Sequence, residues 1–431
     1  MAVFMSFSAG RFFLGFILSV CSAAAMANGF AINVQSASGV GTGEAGRAST
    51  ALDATVIYGN PAGLVRLDRP QLVSGFGFVK ADVGISDTWG MTATGSPVVG
   101  TNQGDSVPDV YVPFAFASTP INDRWAVGIG IYVPFGLIND YEPTFMGRYH
   151  GVHSKVSVVT IQPTVSFKVN DRLSIGFGPT INRISGRLKN NMDARMLGGG
   201  EGMVDIKGSD SGVMGFNFGV MFDPTDSTTL GLTYHSRVDY KLTGRTRFSG
   251  LGGSLAAVNG RYDANLDVTL PESVDMAITQ RLSDKWTVYG GATWTRWSRF
   301  QALDIYNTGM PVASLRHLNE KFNWENTWSF ALGASYQIRP ELVLRAGLTY
   351  DPSPTNSEYR NVRIPVGDRH IFALGAGWTP TPDWTFDFAY TYLWENTATI
   401  NQPVKSAFVP SYHARYKNSA HGFAFQVTRR F

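Results

Sequence analysis

Hydrophobic and polar residues alternate with a period of two along much of this chain. In residues 384–392 the aromatic side chains occupy the even positions, and small or polar side chains occupy the odd ones. Residues 342–350 and 328–336 show the same alternation. Further alternating segments lie at 125–133, 159–167, 216–222 and 423–427. Such alternation predicts β-strands with one apolar and one polar face.

The two faces of these strands indicate a membrane protein. The apolar faces carry aromatic rings near the strand ends: Trp125, Trp286, Trp328, Trp378, Trp384 and Tyr392. The opposite faces carry Gly, Ser, Thr and single charged residues, as the polar interior of a transmembrane barrel does. No stretch of 18 apolar residues follows residue 27, so membrane-spanning helices are excluded.

Turns and loops predict the number of strands. Six short polar turns lie at 119–123, 170–171, 223–226, 283–285, 339–341 and 379–383. Seven longer segments rich in Gly, Asn and charge lie at 84–106, 137–154, 188–210, 244–263, 299–322, 354–366 and 396–417. Together they join fourteen strands. We therefore predict an all-β fold, a 14-stranded antiparallel transmembrane β-barrel over residues 70–431, with the long loops extracellular.

The first 27 residues have the order of a cleaved secretory signal. Arg11 precedes an apolar run over 12–20, and small residues end at Ala27. The alternative, a membrane anchor, is disfavoured because the apolar run is too short to span a bilayer. Cleavage after Ala27 removes Cys21, the single cysteine of the chain.

Residues 28–69 lack long alternation and are too apolar for a solvated tail. They are rich in small residues and contain a turn at 58–63. A barrel of this size otherwise encloses an aqueous channel. We therefore predict that residues 28–69 form a hatch, or plug, inside the lumen. A periplasmic extension is the alternative.

Composition and charge exclude several classes of function. The chain has 36 Lys and Arg against 33 Asp and Glu, and this near-neutral balance argues against a nucleic-acid partner. The seven His form no recognisable catalytic or metal-binding motif, and no G-x-S-x-G occurs. We therefore predict no enzymatic activity, no cofactor and no metal.

Several motifs together resemble a known family. They are Asn28-Gly29-Phe30, the small-residue segment 39–48, Asn60-Pro61-Ala62, Tyr132-Val133-Pro134-Phe135-Gly136-Leu137, Gly147-Arg148-Tyr149 and Ile161-Gln162-Pro163. In these motifs the mature chain resembles the FadL family of outer-membrane transporters for long-chain fatty acids and other hydrophobic compounds. The resemblance implies passive uptake across the outer membrane of a Gram-negative bacterium. It implies contact with outer-membrane lipid, lipopolysaccharide and the barrel assembly machinery, to which Phe431 is a suitable terminal residue; we expect a monomer.

The resemblance also implies where cargo enters and how it is gated. Apolar residues between 134 and 149 predict an extracellular groove that captures hydrophobic cargo: Pro134, Phe135, Leu137, Ile138, Phe145, Met146 and Tyr149. Packing of this loop on its neighbours is the alternative. The expected gating residues of the hatch are Asn28, Phe30, Asn60, Pro61 and Ala62.

Two prolines within strands predict a break in the barrel wall. Pro113 and Pro134 each remove a donor from the strand ladder, which is tolerated at edges and bulges. The resemblance implies a lateral opening there, through which cargo enters the membrane. The alternative is that these prolines have no functional role.

The head group of the cargo is the least determined feature. Arg345 and Arg237 point inward by strand parity and are candidate partners for a carboxylate, as is Lys321. Pairing with Asp275, Glu325 or Asp387 is the alternative for each cation. Long-chain fatty acids are the expected cargo, and neutral aromatic or aliphatic hydrocarbons are the alternative. A general porin, a barrel enzyme and an adhesin are the rival classes.

Overall fold

Alternating sequence segments form one continuous antiparallel sheet in a computed structural model, which describes residues 29–102 and 106–431. The expected signal segment and Asn28 lie outside these residues. The strands are β1 (Gln71–Trp89), β2 (Val110–Asn122), β3 (Trp125–Asp140), β4 (His153–Asn170), β5 (Leu173–Asp193), β6 (Glu201–Thr225), β7 (Thr228–His235), β8 (Val238–Ser249), β9 (Gly260–Leu270), β10 (Ser273–Arg281), β11 (Trp286–Thr295), β12 (Ala302–Thr308), β13 (His317–Lys321), β14 (Thr327–Arg339), β15 (Leu342–Asp351), β16 (Arg369–Thr381), β17 (Trp384–Glu395), β18 (Ala398–Gln402) and β19 (Tyr412–Arg430).

The sheet closes because β1 pairs with both β2 and β19. The closing ladder runs from Gln71 opposite Arg430 to Trp89 opposite His413. Five of the barrel strands are each interrupted once and are therefore divided into two numbered segments. These five strands are β7–β8, β9–β10, β11–β12, β13–β14 and β17–β18. The described residues thus confirm the predicted barrel of fourteen antiparallel strands.

Helices are few and short. They are α1 (Ala37–Val40), α2 (Val56–Gly59) and the 3₁₀ helices Pro61–Arg66, Arg195–Leu197, Gly253–Val258, Trp297–Arg299 and Ala313–Leu315. In the part of the chain that the structure describes, none is long and apolar enough to cross a membrane.

The N-terminal segment crosses the interior of the barrel. Helix α1 packs against β16, β17 and β19, whereas the Pro61–Arg66 helix packs against β4, β5 and β6 on another side of the wall. Alternation along the wall places small buried residues such as Ala389 on the inside and large exposed residues such as Leu332 on the outside. The segment from 29 to 67 therefore fills space that the small lumenal side chains leave free.

Several segments predicted as loops are instead strands. β5 and β6 leave only residues 194–200 between them, and predicted loops 244–263, 299–322 and 396–417 contain strand segments. In this long-connection half of the barrel the polarity of the faces is reversed, with Leu188 buried inside and its neighbour Arg187 on the outside. The abundance of Gly and charge in these segments reflects an exposed polar outer face, and it was wrongly interpreted as loop structure.

Candidate functional site

The barrel wall is interrupted between β2 and β3. Their ladder ends at Ala115 opposite Ile131, and beyond it β3 has a bulge between Tyr132 and Phe135 in its register with β4. Pro134 lies within this bulge. The predicted prolines therefore flank a part of the wall where β2 and β3 do not pair.

Residues 30–32 take the place of β2 beside this part of β3. The Ile32 amide donates to the Pro134 carbonyl at 2.8 Å, and the Gly136 amide donates to the Phe30 carbonyl at 3.0 Å. Ala31 forms an antiparallel bridge with Phe135. The start of the plug thus satisfies backbone groups at the wall gap.

An apolar pocket lies behind this segment, between Phe30 and the inner face of β4, β5, β6, β8 and β9. It encloses about 810 Å³, including the part open to solvent. Its walls are mainly aliphatic and include Leu137, Ile184, Leu188, Ile206, Leu242, Val268 and Leu303. The ring of Phe30 lies 5.2 Å from Trp297 and 5.4 Å from Phe300, measured between centroids. These contacts join the plug to the pocket.

Arg363 is the buried cation of this apolar pocket; Lys207 also borders the pocket but is exposed. The guanidinium of Arg363 donates to Glu320 at 2.9 Å, to Ser154 at 3.0 Å and to Asn190 at 3.2 Å. Its side chain is 5% exposed, so its charge is largely removed from water. The pocket therefore combines a long apolar wall with a buried guanidinium that is paired with Glu320.

A larger central chamber lies between the plug and the wall and extends to Pro134 and Phe135. It encloses about 1950 Å³, including its open part. Arg47 of the plug pairs there with Asp275 of β10, and His235 lies 3.1 Å from the same carboxylate. These contacts attach the plug to the wall through buried charge.

Glu44 is a second ionisable group of the plug in this chamber. Its Oε1 is inaccessible and has no hydrogen-bond partner among the described residues. Burial raises the pKa of Glu44 to about 7, although nearby Arg47 opposes the rise. Glu44 also has a left-handed backbone with φ of 64°, which is uncommon for a residue with a side chain.

The Asn60-Pro61-Ala62 motif is a fixed point of the plug. The Asn60 side chain donates to the carbonyls of Ala48 at 2.6 Å and Val220 at 3.0 Å, and it accepts from the Ala62 amide at 3.0 Å. Pro61 begins the following 3₁₀ helix. A Cβ at Gly219 of β6 would overlap the Asn60 amide group, so glycine is required there for this close approach.

The predicted capture residues do not form an exposed groove. Pro134 to Ile138 belong to β3, and Ile138, Phe145 and Tyr149 are buried. Phe145 stacks on Tyr141 with centroids 4.1 Å apart, and Met146 packs against the same cluster. The prediction of an exposed apolar loop was therefore wrong, because these side chains pack into the barrel's extracellular core. Pro134 and Phe135 line the chamber, and Leu137 lines the apolar pocket.

Arg345 points into the lumen as predicted, but it lines neither cavity. Its guanidinium donates to Asp387 at 2.7 Å, and both side chains are buried. Arg237 was wrongly placed inside: it is exposed, 3.3 Å from Asp239 at the break between β7 and β8, where strand parity is interrupted.

Arg345→Met is expected to lower the free energy of unfolding by about 3–5 kcal/mol, because it leaves the Asp387 carboxylate buried without its partner. Urea unfolding of the barrel in lipid vesicles measures this loss. Arg339→Met is the matched control, since Arg339 and Glu341 are exposed and 3.8 Å apart. Unchanged stability together with weaker fatty-acid binding would instead assign Arg345 to the cargo.

Sequence reasoning missed Arg363, Arg47 and Glu44. Arg363 lies in a segment predicted as a loop, and its neighbours Ser154 and Asn190 are distant in sequence. The Asn-Pro-Ala motif is recognisable near the end of the plug. Arg47 and Glu44, in contrast, lie among small residues and show no distinctive spacing. Among the described residues, no group of three or more His, Cys, Asp or Glu is placed to hold a metal ion.

Comparisons with known proteins agree with this architecture. Residues 18–431 match the family described as outer membrane protein transport protein (OMPP1/FadL/TodX). The long-chain fatty acid transport protein of Escherichia coli O6:H1 is 25% identical over 413 residues, covering 88% of this chain and 90% of that protein.

Solved structures share the fold. A Pseudomonas aeruginosa FadL homologue has a TM-score of 0.84 at 24% identity, over 94% of this chain and 100% of its own. The toluene transporter TbuX of Ralstonia pickettii has a TM-score of 0.66 at 18% identity, over 89% and 95% of the two chains. Because the family match extends over nearly the whole sequence, this protein belongs to the FadL/TodX family of Gram-negative outer-membrane proteins that transport hydrophobic compounds.

Proposed function

We propose that this protein takes up long-chain fatty acids, holding the alkyl chain in the apolar pocket and the carboxylate at Arg363. The observation that carries this proposal is a buried guanidinium in a mainly apolar pocket. Glu320 already accepts from the Nε of Arg363, whereas the two terminal nitrogens of this guanidinium donate to the neutral oxygens of Ser154 and Asn190. These oxygens are weaker acceptors than a carboxylate, so an incoming carboxylate is expected to displace them.

Neutral aromatic hydrocarbons are the second candidate cargo. Phe30, Phe300 and Phe322 line one side of the pocket, and their rings can pack on an aromatic guest without any charge. The names of the compared proteins support both candidates, since one is a fatty acid transport protein and another a toluene transporter.

Residues 28–69 are proposed to act as a hatch after cleavage of the signal at 1–27, within the barrel of 70–431. Cargo in the apolar pocket touches Phe30, whose carbonyl accepts from Gly136 beside the wall gap. Cargo that displaces Phe30 therefore frees residues 30–32 from β3. Through the uncovered gap between β2 and β3, at Pro113 and Pro134, cargo is proposed to pass sideways into the membrane.

Binding of palmitate and toluene to the purified protein tests the choice of cargo. Arg363→Met is expected to weaken palmitate binding by about 10–100-fold and to leave toluene unchanged, because a charge-assisted hydrogen bond is worth about 1.5–3 kcal/mol. Arg360→Met is the control from the same loop, since Arg360 does not line the pocket. Unchanged palmitate affinity would reject the head-group assignment, and binding of neither compound would reject the transport proposal.

Gly186→Leu is expected to reduce fatty-acid binding and uptake by at least about tenfold, because its side chain fills pocket volume. A Cβ at Gly186 meets only the Lys155 carbonyl, 3.8 Å away, and the remaining side chain enters the pocket. Gly84→Leu is the matched control, since Gly84 is exposed on the outer face of β1. Isothermal titration with palmitate measures the effect, and equal affinity of both variants would show that the pocket does not hold the chain.

A further inference from the structure

A band of cations covers the outer face of neighbouring strands near the long-connection end of the barrel. Four of them stand side by side in direct register: Lys155 of β4 opposite Arg187 of β5, Arg187 opposite Lys207 of β6, and Lys207 opposite Arg245 of β8. The next residue in this row is Asp263 of β9. This row therefore brings four positive charges and one carboxylate together.

A second row lies two residues further from the membrane. It contains Lys189, Arg247 and Arg261 with the carboxylate of Asp205, and it begins at His153, which pairs with Asp140. The two rows, called here the cationic band, contain seven Lys or Arg and two Asp on β4, β5, β6, β8 and β9.

The side chains of the cationic band point away from the lumen. Their neighbours along the strands, Leu188, Ile206 and Leu242, are buried and line the apolar pocket inside. Lys207, Arg245 and Arg247 are exposed, and Arg187 is half-buried beside Asp205 at 2.7 Å. Strand alternation thus presents the charges to whatever surrounds the barrel at this level.

Like charges directly opposite on adjacent strands repel each other. Arg187 and Lys207 are such a pair, as are Lys207 and Arg245. The seven cations outnumber the nearby carboxylates of Asp205, Asp263 and Asp140, so an external anion would stabilise this face. Phosphate groups suit it, because arginine and lysine side chains bind phosphate oxygens strongly.

The height of the band above the lipid-facing surface narrows the choice of anion. Ile161, Ile181 and Met214 are exposed apolar residues on the same strands. Arg183, Arg187 and Lys189 follow Ile181 on β5 by two, six and eight residues. With the usual rise and tilt of barrel strands, they lie about 5, 15 and 20 Å above it. A glycerophospholipid carries its phosphate close to its acyl chains, whereas lipopolysaccharide carries anionic groups at several heights along its sugar head.

We propose that the cationic band binds the phosphorylated head group of lipopolysaccharide in the outer leaflet. The exposed row of Ser185, Ser209 and Thr243 below the band supplies hydroxyl groups for the sugars at an intermediate height. The lipid packs on the apolar surface beneath it. The exposed side chains of the band lie on the outer face of the wall, whereas the cargo cavities lie inside the barrel, although Lys207 also borders the apolar pocket.

Binding of purified lipopolysaccharide to the detergent-solubilised protein tests this proposal. Replacing both Lys207 and Arg245 with Glu is expected to weaken binding at least about tenfold, because two charge-assisted contacts become repulsive. Lys80→Glu with Lys417→Glu is the matched control, because these exposed cations lie outside the band on the outer face of β1 and β19. If the Glu double variant does not fold into the membrane, the double variant Lys207→Gln with Arg245→Gln replaces it in the binding measurement.

The unaltered protein provides a test that does not depend on folding of a variant. Enzymatically dephosphorylated lipopolysaccharide is expected to bind at least about tenfold more weakly than the intact form, since it lacks the anionic groups. Equal binding of both forms would overturn the proposal. Equal affinity for phosphatidylglycerol would overturn the choice of lipopolysaccharide, and a loss shared by the Lys80 and Lys417 control would overturn the location.

Discussion

A disulfide between Ser49→Cys and Thr279→Cys is expected to stop uptake almost completely, and reduction is expected to restore it. The hydroxyl oxygens of Ser49 in the plug and Thr279 in β10 are 2.7 Å apart. Side chains this close can be bridged by a sulfur–sulfur bond of about 2.0 Å with small adjustments. The bond would hold the plug against the wall, whereas the proposed mechanism requires the plug to move. Uptake of labelled palmitate by cells, with and without reductant, measures the effect.

The matched control places a disulfide between two wall residues. Thr379 and Thr385 lie at the turn joining β16 and β17, with hydroxyl oxygens 3.0 Å apart. Cysteines there are expected to cross-link without reducing uptake, because neither residue belongs to the plug. Wild-type uptake by the oxidised Ser49–Thr279 variant would show that the plug does not need to leave β10.

Alternation alone was sufficient to predict the half of the wall next to the short turns. In 384–392 the aromatic positions face outward, as the exposure of Phe388 shows, and Asp387 faces the interior. Each strand hydrogen-bonds only to its neighbours, so a local period of two determines which side of the barrel each residue faces. Short turns such as 170–171 were equally local and were correctly located.

The contacts across the lumen were not predictable in the same way. Arg345 and Asp387 lie on β15 and β17 with β16 between them, so their pairing depends on the register of two ladders. For this reason the sequence left three possible partners for Arg345, of which Asp387 was one. Similarly, residues 30–32 are too few to show alternation, and nothing in their sequence indicated pairing with β3.

The strands of the extracellular half were wrongly predicted as loops because their apolar side chains face inward and their polar side chains face outward. Leu188 and Ile206 face inward there and Lys207 outward, while Gly186 and Gly208 leave room for the pocket. A strand that contains many charged residues and glycines has the same amino-acid composition as a loop. The apolar pocket therefore lies in a region where composition favoured loops and only the pairing of strands reveals a binding cavity.

Release of the plug is expected to become easier as pH rises from about 4.5 to about 7, because Glu44 has a raised pKa in the docked plug. Below pH 4.5 the carboxyl is protonated whether the plug is docked or displaced into water, so docking keeps its full stability. Between these values the displaced form ionises while the docked form keeps its proton. Because one proton is involved, the equilibrium between docked and displaced plug changes by at most about tenfold for each pH unit. Above about pH 7 the carboxyl is ionised in both forms, so the equilibrium no longer depends on pH.

Other charged groups near Glu44 define the control needed. Arg47 and Tyr58 approach it within the plug, and Asp275 approaches it from the wall, with His235 beside that carboxylate. Glu44→Gln keeps these neighbours and removes the titrating carboxyl. Asp68→Asn is the matched control, because Asp68 is an exposed acid at the end of the same segment.

Hydrogen exchange of the amides in residues 37–66, corrected for the intrinsic pH dependence of exchange, measures the opening of the plug. We expect protection to fall between pH 4.5 and 7 in the wild type and in Asp68→Asn, and to stay constant in Glu44→Gln. The left-handed backbone of Glu44 is retained in the Gln variant, so any strain there is common to both proteins. A pH dependence that persists in Glu44→Gln would show that Glu44 has no part in gating.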